Sequence, residues 1–309
     1  MKRGEFNFVW LFAIVVGGLI LFLAVYGATK IGDTKKYQTD SEIAKQISIL
    51  TDPMQAGFAE GSFSKMTFKQ EIKIKNLCSV GNFGENEISV STKTNNKWNQ
   101  FGAGTIIPNK YIFSAELNEG KEFYITSKPF NFPYEVSDMI FLTSKEYCFS
   151  NSPDEISEEI KELNIPNIKI ENCSGSEIKV CFGSSANCDI VIYGTCLSNC
   201  DSVYEEGVVE KKEEIIKYVD NLLLAAIFSD KTVYDCNINR LLQRTSSIAE
   251  LYSEKADISN ARNCNTNLKS DLLFWKDFTV NSTSDEIISL NILSKSLQIK
   301  NERELCKLW

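Results

Sequence analysis

The sequence predicts an α+β protein with an N-terminal transmembrane helix, a β-rich disulfide-stapled ectodomain and a C-terminal helical region. Three observations predict this class: an uncharged run from Phe6 to Thr29, ten cysteines that all follow residue 77, and a hydrophobic period that changes from two to about 3.6 near residue 205. The expected parts are a cytoplasmic tail (1–5), a transmembrane helix (6–29), a helical stalk (30–58), a mixed α+β cysteine-containing domain (59–204) and a helical region (205–309).

The first apolar run is long enough to cross a membrane. At 1.5 Å per residue, about 20 apolar residues span a hydrocarbon core of about 30 Å. Trp10 and Tyr26 stand near its two ends, where aromatic rings are favoured at the membrane interface. A cleavable secretory signal has a shorter apolar stretch of about 7–15 residues. We therefore predict a retained, single-pass helix whose partner is the lipid bilayer.

Two pairs of small residues interrupt this run. Ala13 and Gly17 form one pair, and Ala24 and Ala28 form the other. Small residues four positions apart allow a second helix to approach closely in a membrane. The pairs predict packing positions for self-association through the transmembrane helix, and a plain anchor without self-association is the alternative.

The cysteines indicate on which side of the membrane the larger part lies. Basic residues flank the apolar run almost equally, so the charge distribution does not decide the orientation. Ten cysteines without a ligand motif are typical of an oxidising compartment. We expect a cell-membrane protein with most of its chain outside the cytoplasm.

The start of the chain resembles a known signal. Lys2, Arg3 and Gly4 directly before a long apolar helix are similar to the class III signal of archaeal type IV pilin-like proteins, although Glu5 follows the glycine where small or aliphatic residues are more usual. This resemblance implies cleavage after Gly4 and a bundle of apolar helices in a filament. The whole chain also resembles the Lys/Asn/Ile-rich anchored surface proteins of small archaeal genomes, which implies a location but no activity.

Beyond the membrane, the pattern first predicts a helix and then strands. The segment from Ser41 to Phe58 has helical spacing, and we expect it to continue the membrane helix or to pack on the first sheet. Alternation from Lys65 to Lys75 is typical of a half-exposed strand, and Asn95-Asn96 indicates a hairpin turn. Further strands are predicted at Ile88–Val90, Thr105–Ile107, Lys110–Phe113, Phe123–Thr126 and Met139–Leu142.

The middle of the chain predicts a mixed sheet. Ser152-Pro153-Asp154-Glu155 is a strong helix start, with a hydroxyl cap and proline in the first turn. A strand at Asn167–Ile170 follows, so Met139–Ile170 is interpreted as a βαβ unit. Two more strands are predicted at Glu177–Cys181 and Asp189–Tyr193.

Helical spacing predominates after residue 205. One helix is predicted from Val208 to Ala226, with the charged run Glu205–Lys217 on its solvated side. Others are predicted around Ile238–Leu251 and Ile287–Leu293.

The cysteines predict disulfides rather than a metal site. The chain has no histidine and no Cys-x-x-Cys, so neither a metal nor a cofactor is expected. Short separations favour Cys196–Cys200 or Cys173–Cys181, and Cys236–Cys264 would join two helices. The disulfide candidates are Cys78, Cys148, Cys173, Cys181, Cys188, Cys196, Cys200, Cys236, Cys264 and Cys306.

Two triplets match the acceptor pattern for N-glycosylation. They begin at Asn172 and Asn281. A disulfide at Cys173 would hinder the first triplet, so Asn281 is the candidate.

The composition excludes some functions and leaves three hypotheses. A net charge of −8 argues against nucleic acid as a partner, and the absence of histidine excludes the usual hydrolase triads. The leading hypothesis is a membrane-anchored cell-surface protein with a structural role, or with a recognition role toward a surface partner that the sequence leaves open. The alternatives are a pilin-like filament subunit and an anchored, histidine-free hydrolase. The hydrolase requires a cleft with carboxylates or a lysine of shifted pKa.

Overall fold

The structure is a computed structural model that describes residues 8–50, 63–81, 84–163, 165–183, 187–195, 202–212 and 214–309. It confirms the α+β class: one long N-terminal helix precedes two mixed sheets and a set of C-terminal helices. The helices are α1 (Phe8–Leu50), α2 (Asp154–Leu163), α3 (Leu222–Phe228), α4 (Lys231–Ala261), α5 (Lys269–Val280) and α6 (Ile287–Arg303).

The first sheet contains the seven strands β1 to β7. They are β1 (Phe63–Ser79), β2 (Glu85–Thr94), β3 (Lys97–Trp98), β4 (Thr105–Pro108), β5 (Tyr111–Phe113), β6 (Leu117–Asn131) and β7 (Glu135–Thr143). Their order is β3-β2-β1-β6-β7-β5, with β4 paired to β2. All pairs are antiparallel except β5–β7, which is parallel. The predicted hairpin turn is confirmed, because Asn95 and Asn96 have positive φ values of 51° and 59° and join β2 to β3.

This sheet is buried on both faces. Along β6, Phe123 and Ile125 belong to an apolar cluster that includes residues of α1, whereas Tyr124 between them belongs to the main core. Because side chains alternate along a strand, the two clusters lie on opposite faces. The first sheet is therefore a middle layer between α1 and the rest of the domain.

The second sheet has six short strands. They are β8 (Tyr147–Ser150), β9 (Ile168–Ile170), β10 (Ile178–Phe182), β11 (Ile190–Gly194), β12 (Glu206–Lys211) and β13 (Glu214–Val219). Their order is β13-β12-β11-β10-β8-β9; the pairs from β9 to β11 are parallel, and those from β11 to β13 are antiparallel.

The βαβ unit exists, but its predicted start at Met139 is wrong. The helix α2 connects the parallel strands β8 and β9. Met139 instead lies in β7 of the first sheet, opposite Tyr111 and Lys128. The chain passes from one sheet to the other between Thr143 and Tyr147, and this segment carries no turn signal strong enough to mark the change.

The predicted helix from Val208 to Ala226 is also wrong for most of its length. Residues 206–219 form the β12–β13 hairpin, in which Lys211 is paired with Glu214, and helix α3 begins only at Leu222. Val209, Ile216 and Tyr218 are fully buried in the main core. Burial of β-branched and aromatic side chains at a period of two therefore outweighs the helical preference of the charged residues. The other two predicted helices, in α4 and α6, are confirmed.

The segment after Ser41 fulfils both of its predicted alternatives as far as Leu50. It continues α1 without a break and packs on the first sheet. Its predicted remainder to Phe58 lies outside the described residues.

Candidate functional site

The N-terminal half of α1 presents apolar side chains to its surroundings. The helix from Phe12 to Ile49 contains an 18-residue window with a mean hydropathy of 2.3, none of which is buried. Phe12 and Leu21 are 64% and 67% exposed. Length and composition therefore suit a membrane span, and an N-terminal signal sequence would meet the same criterion.

The predicted packing residues lie on one side of this helix. At 100° per residue, Ala13, Gly17, Ala24 and Ala28 fall within about 60° of one another around the axis. No atom lies within 4 Å of a Cβ built on Gly17. The part of α1 that packs on the sheet lies roughly opposite. The small-residue side therefore faces away from the ectodomain and, like the rest of the apolar half, is exposed.

The C-terminal part of α1 is fixed to the first sheet by apolar packing. Ala44 and Ile47 are buried against Ile72, Val90 and Ile107. Removing these side chains from water stabilises the contact by roughly 25 cal/mol per Å² of apolar surface. The apolar helix and the ectodomain consequently meet without a flexible linker.

Polar contacts support this junction. The carboxylate of Asp40 accepts a hydrogen bond from the backbone N–H of Thr92 at 3.3 Å, and the hydroxyl of Ser41 accepts one from the N–H of Ala103 at 2.9 Å. Farther along α1, the ammonium of Lys110 donates to the carbonyl of Ser48 at 3.0 Å. The glycine at 102 is needed because a Cβ there would lie 2.8 Å from the backbone nitrogen of Ser41.

The segment Gly102-Ala103-Gly104 lies between β3 and β4. Its contact with α1 was not predicted. The signal that could have revealed it is the pair of glycines itself, which permits close approach of another backbone.

The first sheet is also joined to α4, through a fully buried arginine. The Arg240 guanidinium donates to the side-chain oxygen of Asn86 at 2.6 Å and to that of Asn237 at 2.8 Å. It also donates to the carbonyl of Lys110 at 2.8 Å and lies 4.7 Å from the ring centre of Tyr111. Burial lowers the pKa of Arg240 to about 10. The guanidinium stays charged at neutral pH, and the three acceptors named here are neutral oxygens.

Four disulfides crosslink the described part of the domain. They are Cys78–Cys236, Cys148–Cys173, Cys181–Cys188 and Cys264–Cys306. The proposed pairings Cys173–Cys181 and Cys236–Cys264 are therefore wrong. Cys173 and Cys236 each pair with a cysteine that is farther away in the sequence, because β8 lies beside the loop of Cys173 and β1 lies against α4. Cys181 pairs with Cys188 in the following loop. Cys196 and Cys200 lie outside the described residues, as does Gly4.

The glycosylation candidate lies at an exposed position. Asn281 follows the last residue of α5, and its side-chain amide donates to the carbonyl of Asp277 at 2.7 Å. At the other triplet, Cys173 is in a disulfide. Modification of Asn281 remains a prediction.

No group of three potential metal-ligating side chains occurs within the described ranges. A cleft of about 680 Å³ does occur beside the second sheet, and its lining includes Lys211 and several carboxylates. Burial lowers the pKa of Lys211 to about 8. Such a cleft is what the hydrolase hypothesis requires, but no serine or threonine lines it among the described residues, and the hydroxyl of the neighbouring Ser229 is buried. The described lining therefore forms no Ser/Lys dyad.

No family model, no curated protein and no solved structure matches this chain. The function of this chain is therefore inferred from its own sequence and geometry. An N-terminal apolar helix attached to a domain with four disulfides indicates an extracytoplasmic protein.

Proposed function

We propose that this chain is a single-pass membrane protein that holds its disulfide-crosslinked domain at the cell surface, in a structural or recognition role. The observation that carries the proposal is the two-part character of α1: its N-terminal half exposes apolar side chains, and its C-terminal end is packed into the domain. One unbroken helix thus serves as both membrane span and structural element. Because an unbroken helix joins the two parts, the orientation of the domain relative to the membrane is restricted.

The experiment combines intact-mass measurement with protease treatment of whole cells. Protein extracted from membranes is alkylated with and without reduction. We expect the mass to include residues 8–29, no label on the eight disulfide cysteines before reduction, and digestion of the domain by external protease. Labelling of those cysteines without reduction, or loss of the apolar helix from the mature protein, would contradict the proposal.

A second candidate function is that of a filament subunit. The observation that favours it is the line of small residues on the side of α1 that faces away from the ectodomain. Helices of neighbouring copies pack on this side in a filament, and the ectodomains lie on the other side of their helices, where they do not obstruct this packing. The resemblance of Lys2-Arg3-Gly4 to a class III signal supports the same candidate.

The matched variants Gly17→Leu and Gly18→Leu test the filament candidate. Gly17 lies on the small-residue side, whereas Gly18 is about 100° away from it around the axis. We expect Gly17→Leu to abolish crosslinking between copies and filaments in electron micrographs, and Gly18→Leu to retain both. An intact-mass spectrum should show a mature start at Glu5. A full-length chain, or equal behaviour of the two variants, would leave the simple anchor as the function.

A further inference from the structure

The β2–β3 hairpin points toward the apolar half of α1. Where its packed end begins, α1 contacts the segment Gly102–Ala103 before β4, and farther on, at Ser48, it contacts Lys110 after β4. The helix therefore runs in the direction of β4, which is antiparallel to β2. Asp40 contacts Thr92 near the end of β2, so the hairpin beyond Thr92 extends back toward the N-terminal half of α1.

This direction brings the hairpin close to the membrane boundary. The uncharged run ends at Thr29, and a helix that stands along the membrane normal rises about 16 Å from there to Asp40. The strand from Thr92 to Asn95 covers about 10 Å of this distance in the opposite direction. The polar layer on each side of the hydrocarbon core is about 5–7 Å thick. The tip of the hairpin therefore lies within reach of lipid headgroups.

A groove of about 360 Å³ opens beside this hairpin, where the pairing of β1 with β6 is irregular. Its charged lining consists of Lys69, Lys93, Lys121 and Glu71. Glu71 pairs with Lys93 at 2.7 Å. Lys69 and Lys121 are exposed, and among the described residues no carboxylate lies within 4.0 Å of either ammonium. The groove therefore carries two positive charges beyond its one ion pair.

The acidic residues on either side of Lys121 do not cancel this excess. Glu119 pairs with Lys73 at 2.6 Å, and Glu122 pairs with Lys65 at 2.8 Å. The stretch of α1 between the apolar run and the packed end adds three basic residues and one acidic residue: Lys30, Lys35, Lys36 and Asp33. The region around the membrane boundary is therefore basic, although the chain as a whole has a net charge of −8.

We propose that the groove beside the β2–β3 hairpin binds the phosphate of an anionic lipid headgroup through Lys69 and Lys121. Basic residues close to an anionic membrane surface are attracted to it, and the amides of Asn95 and Asn96 in the lining supply further hydrogen-bond donors. A headgroup without a cation of its own leaves its full negative charge for the two lysines. This inference rests on the proposed function, because the membrane span is what brings the groove to the headgroups.

The test places the full-length protein in lipid nanodiscs and measures amide hydrogen exchange of residues 93–98. One kind of disc contains phosphatidylcholine alone, and the other contains equal parts of phosphatidylcholine and phosphatidylglycerol. The double variant Lys69→Gln/Lys121→Gln removes the two charges of the groove. The matched control, Lys161→Gln/Lys212→Gln, removes two exposed lysines from α2 and from the turn after β12. Purification of the protein together with the discs reports insertion.

We expect phosphatidylglycerol to slow hydrogen exchange in the hairpin about tenfold in the unaltered protein and in the control, but not in Lys69→Gln/Lys121→Gln. Salt at 1 M, where the screening length is about 3 Å, should remove the effect. Insertion with equal exchange in both kinds of disc would overturn the headgroup contact and leave the membrane anchor intact, whereas failure to insert would overturn both. Slowing by glycerol phosphate added to phosphatidylcholine discs would show a site for a soluble phosphate and overturn the assignment to lipid.

Discussion

The two sheets of this protein are stabilised in different ways. The first sheet contains strands of 17 and 15 residues and is covered on both faces by α1 and the main core. The second sheet is built from strands of three to six residues. Two of the four described disulfides, Cys148–Cys173 and Cys181–Cys188, begin on its strands and end in its connecting loops.

This difference shows what the cysteines do. Long strands covered on two faces bury enough apolar surface to be stable without local crosslinks. Short strands provide few ladder hydrogen bonds, and a disulfide compensates by restricting the unfolded chain. The first sheet carries only Cys78 among the described disulfide cysteines, and that residue connects it to α4 instead of crosslinking its own strands.

The largest effect is expected for the disulfide that joins the first sheet to α4. Cys78 and Cys236 are 158 residues apart, whereas Cys181 and Cys188 are seven apart. Loop entropy then predicts losses in the free energy of unfolding on the order of 5 kcal/mol for the first pair and about 2 kcal/mol for the second, when both cysteines are replaced by alanine. Urea denaturation of the two double variants measures both values. Equal losses would show that the crosslinks act locally and not through the unfolded chain.

The next effect concerns the buried arginine beside that disulfide. Arg240→Met removes the charged donor from the side-chain oxygens of Asn86 and Asn237, and each hydrogen bond to a charged group contributes about 1.5–3 kcal/mol. We expect a loss of about 4 kcal/mol in urea denaturation. Arg240→Lys is the control, because it keeps the charge but not the planar fork, and it should recover only part of this loss. Full recovery of the free energy of unfolding in Arg240→Lys would mean that charge alone stabilises the contact between α4 and the first sheet.

The elements that the sequence predicted well are those with one clear period. The alternation in β1 and the helical stripe of α4 each match a single pattern, and both are confirmed. The β12–β13 hairpin was missed because Val208-Val209 and Ile215-Ile216 place apolar residues side by side, which fits either period. Which residue of each pair is buried depends on the core that covers the hairpin, and the sequence alone does not show that core.

The membrane helix was predictable from composition, but its junction was not. Asp40 and Thr92 are 52 residues apart, and Arg240 and Asn86 are 154 apart. Contacts over such separations depend on how complete elements pack. One local signal was available: Arg240 follows Ile238 and precedes Leu241 in an apolar stripe, and a charge at such a position indicates a buried polar contact.

A smaller effect is expected where α1 covers the first sheet. Ile47 is 1% exposed, whereas Ile49, two residues on, is 63% exposed. Ile47→Ala should lower the free energy of unfolding by about 3 kcal/mol and increase amide hydrogen exchange in β2 and β4, because it leaves a cavity under the helix. Ile49→Ala is the matched control and should change little. If the two variants behave alike, α1 does not pack on the first sheet in solution. The inference of a rigid connection between α1 and the domain would then be wrong.

The smallest effect is expected in the second sheet and depends on pH. The carboxylate of Glu177 accepts hydrogen bonds at 2.6 Å from Lys169 and from Ser174, and these contacts lower its pKa to about 2. An acid with a lowered folded-state pKa stabilises the fold above its ordinary pKa near 4.5, and this contribution is lost as the pH falls toward 2. Glu177→Gln should therefore melt at a lower temperature than the unaltered protein at pH 6, and the two should converge near pH 2. Thermal melting at both pH values measures this. Glu177 directly precedes β10. A difference in melting temperature that persists at pH 2 would show that its side chain stabilises the second sheet by packing. The ion pair with Lys169 would then not contribute to the stability of that sheet.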